Sequence, residues 1–168
     1  MFSLSLLGLI SLAVAQNVTF PPLIPPSVTL LYRADVELGD RFSLGAIPVG
    51  QERVVIPIIG GTFKGPKFSG KILNLGADWR LTDVNGIVRP DARYNLLTDD
   101  GTYVYIQTEG PTLTDGHSVL RAKFETATNG TYAWLNQVVG VGILTRSGTS
   151  RVFIDMWDFR SGGNGTVG

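Results

Sequence analysis

The run Lys71 to Thr82 alternates with a period of two: Leu73, Leu75, Ala77, Trp79 and Leu81 share one face, and Asn74, Gly76, Asp78 and Arg80 share the other. That period fits an extended chain and not a helix. Asn85-Gly86 follows, a dipeptide whose left-handed backbone preference makes tight hairpins. A second pair of runs, Asp91 to Thr98 and Thr102 to Glu109, is joined by Asp99-Asp100-Gly101. Consecutive alternating runs joined by such short turns restrict the chain to antiparallel sheet. The runs also carry unusual cargo. Asp78, Asp91 and Arg93 stand beside Trp79, Ala92 and Tyr94 within otherwise apolar patterns. Two arrangements accommodate them: a wet outer face, or a polar lining inside a barrel.

The remaining segments extend the same pattern. Val28 to Leu38, Phe42 to Gly45, Val54 to Ile59, Ser118 to Ala127, Val138 to Thr145 and Arg151 to Phe159 read as strands, separated by glycine- and asparagine-containing turns. Gly60-Gly61 reads as a break, Phe63 to Gly70 as a bend, and Tyr132 to Asn136 as one helical turn. No segment sustains a helical apolar period over three turns. The expectation is an all-β single domain, an antiparallel barrel of about eight to ten strands in preference to a sandwich.

Leu4 to Val14 is apolar and Ala13-Val14-Ala15 has the form of a signal-peptidase site, so residues 1–15 read as a cleaved secretory signal and the protein as secreted, with an uncleaved anchor as the alternative. The segment is shorter than the roughly 20 apolar residues of a spanning helix, so no stable membrane span is expected after cleavage. Residues 16–27 read as a proline-rich extended lead-in, 28–160 as the barrel and 161–168 as a glycine-rich tail. Asn17, Asn129 and Asn164 begin glycosylation sequons. There are no cysteines, which removes disulfides, thiol nucleophiles and thiolate metal sites. A mature domain of about 150 residues can hold itself together by burying roughly two-thirds of its unfolded surface. Lys+Arg 14 balance Asp+Glu 14, so nothing points to nucleic acid or an anionic membrane as partner. No residue pattern fixes a homo-oligomeric state.

Two motifs are weak. Gly65 to Ile72 approaches a phosphate loop, but Ile72 replaces the metal-binding hydroxyl, Pro66 lacks an N–H, and a strand follows where a helix is needed. His117 is the only histidine and lies in a polar turn without a nucleophile elbow or further metal ligands, so no metal is expected. The aromatic residues Trp79, Tyr94, Tyr103, Tyr105, Tyr132 and Trp134 suit ordinary core positions, or collectively a pocket for a planar ligand.

Taken in order, Pro57 to Pro66, Gly76-Ala77-Asp78-Trp79, Asp91-Ala92-Arg93-Tyr94, Thr98-Asp99-Asp100-Gly101 and Tyr132-Ala133-Trp134-Leu135-Asn136 resemble the DUF3237 family, also called UPF0311, across Leu38 to Gly142. The resemblance implies a small β-barrel. It also implies an activity, because intramolecular hydroalkoxylation, the addition of a phenol to an alkene to close a cyclic ether, is attributed to fungal members in natural-product pathways. The chain departs from the family pattern in its signal-like start, its sequons, and a last strand carrying Asp155, Trp157 and Asp158.

Such an addition needs a proton donor for carbon, a base for the phenol, and a substrate held near its reactive shape, with no cofactor. The expected catalytic group is Asp78 and Asp91 as titrating pair, Arg93 to fix a carboxylate or phenolate, and Tyr94 to relay a proton. Trp79, Tyr105, Tyr132, Trp134 and Asn136 are the expected binding residues for a small hydrophobic or aromatic molecule. The competing expectation is a secreted carrier that binds such a molecule unchanged.

Overall fold

The computed structural model describes residues 24–162. The signal segment, most of the proline-rich lead-in, Asn17, Asn164 and residues 163–168 of the tail lie outside the described residues. Ten strands account for most of the rest: β1 Ser27–Leu38, β2 Phe42–Ile47, β3 Gly50–Lys64, β4 Ser69–Thr82, β5 Val88–Arg89, β6 Asp91–Thr98, β7 Tyr103–Glu109, β8 Ser118–Glu125, β9 Val139–Ser147 and β10 Arg151–Arg160. A short 3-10 helix spans Ala133–Gln137, where one helical turn is expected from sequence. No α-helix occurs among the described residues.

Eight of these strands close on themselves in the order β3-β1-β10-β9-β8-β7-β6-β4, with β4 returning to β3, every pairing antiparallel. Closure leaves no long unpaired edge. Strand β3 is long enough to serve two neighbours on one side. Its first half pairs with β2 and its second half with β1, while β4 follows it on the other side. The two remaining strands, β2 and β5, both add to the same end of the barrel and raise its rim there.

Gly60-Gly61 does not interrupt β3; the strand runs through it. Gly61 has φ +136, and a Cβ at that position would lie 2.1 Å from the carbonyl oxygen of Asp35. The glycine lets β1 and β3 approach where the strand bends.

Inward positions of each strand form the core. Strand β6 alternates cleanly, with Ala92, Tyr94, Leu96 and Thr98 buried and Asp91, Arg93, Asn95 and Leu97 partly exposed. Strand β9 does the opposite of what its composition suggests. Gly140 and Gly142 point inward, because Phe124 and Met156 fill the space that side chains there would need. Its bulkier Val139 and Ile143 face outward and are exposed, as are Phe153 and Phe159 of β10.

One end of the barrel is closed. Tyr32, Phe63, Phe68 and Phe124 meet there edge to face, with ring centroids 5.7 to 6.4 Å from Tyr32. The 3-10 helix lies across them, with Leu135 fully buried and Trp134 set edge-on to Phe68 at 6.0 Å. The opposite end, bounded by the ends of β1, β4, β7 and β9, is open to the cavity described next.

Candidate functional site

The cavity enters the barrel from its open end. Val36, Ile56, Ile58, Leu144, Val152 and Ile154 make its apolar walls; Asp78, Tyr94, Thr108 and Arg146 supply its polar groups. The room left for the centres of water molecules is about 40 Å³. A single water needs about 10–15 Å³ on that measure, so the resting cavity takes a few waters.

Strand register explains the polar set. Asp78 lies opposite Ala92 of β6 and Ile56 of β3, both buried, and cross-strand partners share a face. Asp78 therefore points inward. Arg80, two residues on, shares that face opposite buried Val54, and Arg146 lies opposite buried Val152. Trp79 and Leu75, from the apolar face of the same run, turn outward, and Leu75 is 65% exposed. In the open half of β4 the polar face lines the barrel, while on the outer face Leu75 is exposed, Trp79 is half-buried against Arg93 and Ala77 is buried.

Asp78 Oδ1 accepts the backbone N–H of Asp91 at 2.8 Å. Burial pushes its carboxyl up to about 6; the Asp91 N–H and then the Arg80 and Arg146 guanidinium groups pull back against that rise, and the Asp91 charge adds to it. Deeper in, Tyr94 and Tyr32 are both fully enclosed, and neither hydroxyl makes a well-formed hydrogen bond. They lie near enough to perturb each other's protons. Burial pushes Tyr94 up to about 12, with Tyr32's hydroxyl opposing the rise, and pushes Tyr32 well above its ordinary value. The two hydroxyls are each other's nearest polar neighbours, and of the pair only Tyr94 lines the cavity.

Of the residues expected from sequence, the fold brings Asp78 and Tyr94 to one cavity. Asp91 and Arg93 stand on the outer wall, where Arg93 Nη1 lies 3.1 Å from Asp91 Oδ1 and its guanidinium sits 5.8 Å from the centre of the Trp79 ring. Tyr105 is also on the outer wall, between Asn95 and Glu125 in register. Tyr132, Trp134 and Asn136 gather at the closed end. The Tyr132 hydroxyl donates to Asp100 at 3.0 Å, Lys67 Nζ lies 5.0 Å from the Trp134 ring centre, and Asn136 clamps both the N–H and C=O of Thr126. Asn129 is exposed in its turn.

Sequence reasoning passed over Arg80, Thr108, Arg146 and Tyr32. Arg80 was findable, since it lies two residues from Asp78 on the same strand face. Arg146 and Thr108 carry no local signal; only barrel closure brings β7 and β9 opposite β4.

A closed eight-stranded antiparallel barrel, blocked at one end and carrying a carboxyl, a phenol and an arginine in its open cavity, defines a small pocket-bearing β-barrel protein. Residues 26–118 match DUF3237, described as a protein family of unknown function, and the chain belongs to that family, also called UPF0311. A UPF0311 protein of Rhodopseudomonas palustris strain TIE-1 is 34% identical over 143 residues, covering 75% of this chain and 92% of that protein. The crystal structure of a β-barrel-like protein from Acinetobacter baumannii superposes with a TM-score of 0.74 at 35% identity, covering 84% of this chain and 99% of that one. A protein of Penicillium herquei named as a hydroalkoxylation enzyme is 26% identical over 118 residues, covering 70% of this chain and 74% of its own.

Proposed function

We propose that the protein is a cofactor-free acid–base catalyst that adds a hydroxyl, most simply a phenol, across an alkene of the same molecule to close a cyclic ether. The observation that carries this reading is Asp78, a carboxyl inside the cavity with its pKa raised to about 6. A group titrating there is protonated often enough to be an acid and ionised often enough to be a base near neutral pH. The name of the Penicillium herquei relative supports the same reaction class.

The proton account closes on one residue. Protonated Asp78 gives its proton to the alkene carbon, the phenol oxygen forms the new C–O bond at the other carbon, and the phenol proton returns to the Asp78 carboxylate. The addition is redox-neutral. Tyr94 and Thr108 face the same cavity and offer hydrogen bonds that orient the reacting oxygen. The apolar walls hold the alkene and keep bulk water from competing for the developing cation.

The test is turnover of a phenol bearing a pendant alkene by the wild type and by Asp78→Asn. Asparagine keeps the shape and still accepts the Asp91 N–H, but transfers no proton. A rate loss of roughly 10²–10⁴-fold is expected. Equal rates would remove the carboxyl from the chemistry and leave a binding barrel that changes nothing.

A further inference from the structure

Asp78 is the only carboxyl among the described residues that line the cavity, and the charges of two arginines, Arg80 and Arg146, act on it. Arg146 lines the cavity directly. Arg80 does not line the cavity itself but shares the inward face of Asp78, lies near enough for its charge to act on Asp78 and Arg146, and has a buried Nε without a hydrogen-bond partner. The nine ion pairs among the described residues all involve other side chains. Asp78 already spends one oxygen on the Asp91 N–H. Glu52, the next acid of the rim, is bonded by the Ser43 hydroxyl at 2.8 Å. Three guanidinium groups, Arg41, Arg80 and Arg146, thus face two carboxyls, Asp78 and Glu52, and Arg80's proton is held less tightly than usual because burial, and then the Arg146 charge, act against it, with Asp78 opposing. A planar guanidinium with free N–H groups is suited to grip a carboxylate through paired hydrogen bonds.

We infer that Arg80 and Arg146 form an anion-recognition site at the barrel mouth, so that the molecules this cavity takes carry a carboxylate on an aromatic or otherwise apolar skeleton. The carboxylate stays at the rim against the two guanidinium groups, and the apolar part enters between Val36, Ile56 and Leu144. This rests on the reading of the cavity as the substrate site, and it adds which end of the substrate enters last.

The probes are trans-cinnamate and its neutral analogue cinnamamide, titrated at pH 7.5 by calorimetry and by backbone amide NMR. Cinnamate is expected to bind at least about tenfold tighter. Arg146→Gln is expected to remove most of that preference, and Arg80→Gln together with Arg146→Gln all of it. Arg121→Gln, on the outer surface, is expected to leave it intact. If Arg80→Gln fails to fold, the single Arg146→Gln variant still decides. Equal affinity for the two probes, a preference that survives in Arg146→Gln, or no binding of either probe to the folded wild type would each overturn the inference. Asp78→Asn separates the two readings. It should abolish turnover and retain the cinnamate preference. A lost preference with Asp78-dependent turnover sinks only the anion site, and a retained preference without Asp78 dependence sinks only the catalytic reading.

Discussion

Asp78 and Asp91 touch, but not carboxyl to carboxyl: the Asp78 side chain inside the barrel accepts the backbone N–H of Asp91, whose own side chain stands on the outer wall. One strand of backbone separates the two acids. Asp91 therefore acts on Asp78 as a fixed dipole and a screened charge, and Asp78 works in the cavity without a second carboxyl.

Asp91→Asn is accordingly expected to be mild. The backbone N–H that bonds Asp78 survives the substitution, and the lost ion pair with Arg93 is half exposed. Steady-state rates should stay within about threefold of wild type, against the far larger loss for Asp78→Asn. Comparable losses in the two variants would mean that both carboxyl groups take part.

The raised pKa of Asp78 makes stability depend on pH in a defined direction. In the folded chain the carboxyl keeps its proton up to about pH 6, whereas its ordinary value is 3.8. Between those values the folded state binds more protons than the unfolded state, so stability falls as pH rises through the window. The full penalty is present above pH 6 and is on the order of 3 kcal/mol. Chemical denaturation at pH 4 and pH 7 checks this: the difference between wild type and Asp78→Asn should grow by about that amount across the window, with the variant the more stable at pH 7. A difference independent of pH would show that the carboxyl is well solvated.

Tyr94→Phe separates ligand chemistry from folding. Its hydroxyl is buried without a well-formed hydrogen bond, so its removal should leave stability unchanged or raise it by about 1 kcal/mol. Turnover should fall by roughly tenfold as a proton-sharing group leaves the cavity. Thermal unfolding and single-turnover kinetics on the same preparation supply both readouts. A marked loss of stability would mean that the hydroxyl is bonded after all.

Asn136 is expected to matter for architecture. Its amide donates to the Thr126 carbonyl at 3.1 Å and accepts the Thr126 N–H at 2.8 Å, tying the 3-10 helix to the end of β8. Asn136→Ala should cost about 1–2 kcal/mol in urea unfolding and raise amide exchange across residues 133–137, with ligand affinity at the far end unaffected. A selective loss of affinity would instead put Asn136 in contact with ligand.

The alternating runs of β4, β6 and β7 made the antiparallel sheet readable from the chain, because a period of two survives any tertiary context. What periodicity does not supply is the identity of the inward face when both faces are mixed. In β4 the face bearing Leu75 and Trp79 carries more apolar bulk, yet the pairing of Asp78 with Ala92 turns the opposite face inward. The same pairing sends Asp91 outward, since neighbours on β6 alternate. In β9 the small residues Gly140 and Gly142 are the inward ones because Phe124 and Met156 already occupy that volume. Tyr132 and Trp134, read from sequence as binding candidates, sit at the opposite end from Asp78, a separation fixed by which strand ends the closed sheet brings together.

Among the described residues, the plug formed by the 3-10 helix and the aromatic cluster beneath it leaves the barrel one doorway. On the proposed reading, arriving and departing molecules share it, so traffic is one at a time and a finished molecule backs out past the arginines. Inhibition by product should then be purely competitive, and slow departure of a tight-binding product would cap the turnover number however fast the bond-making step becomes.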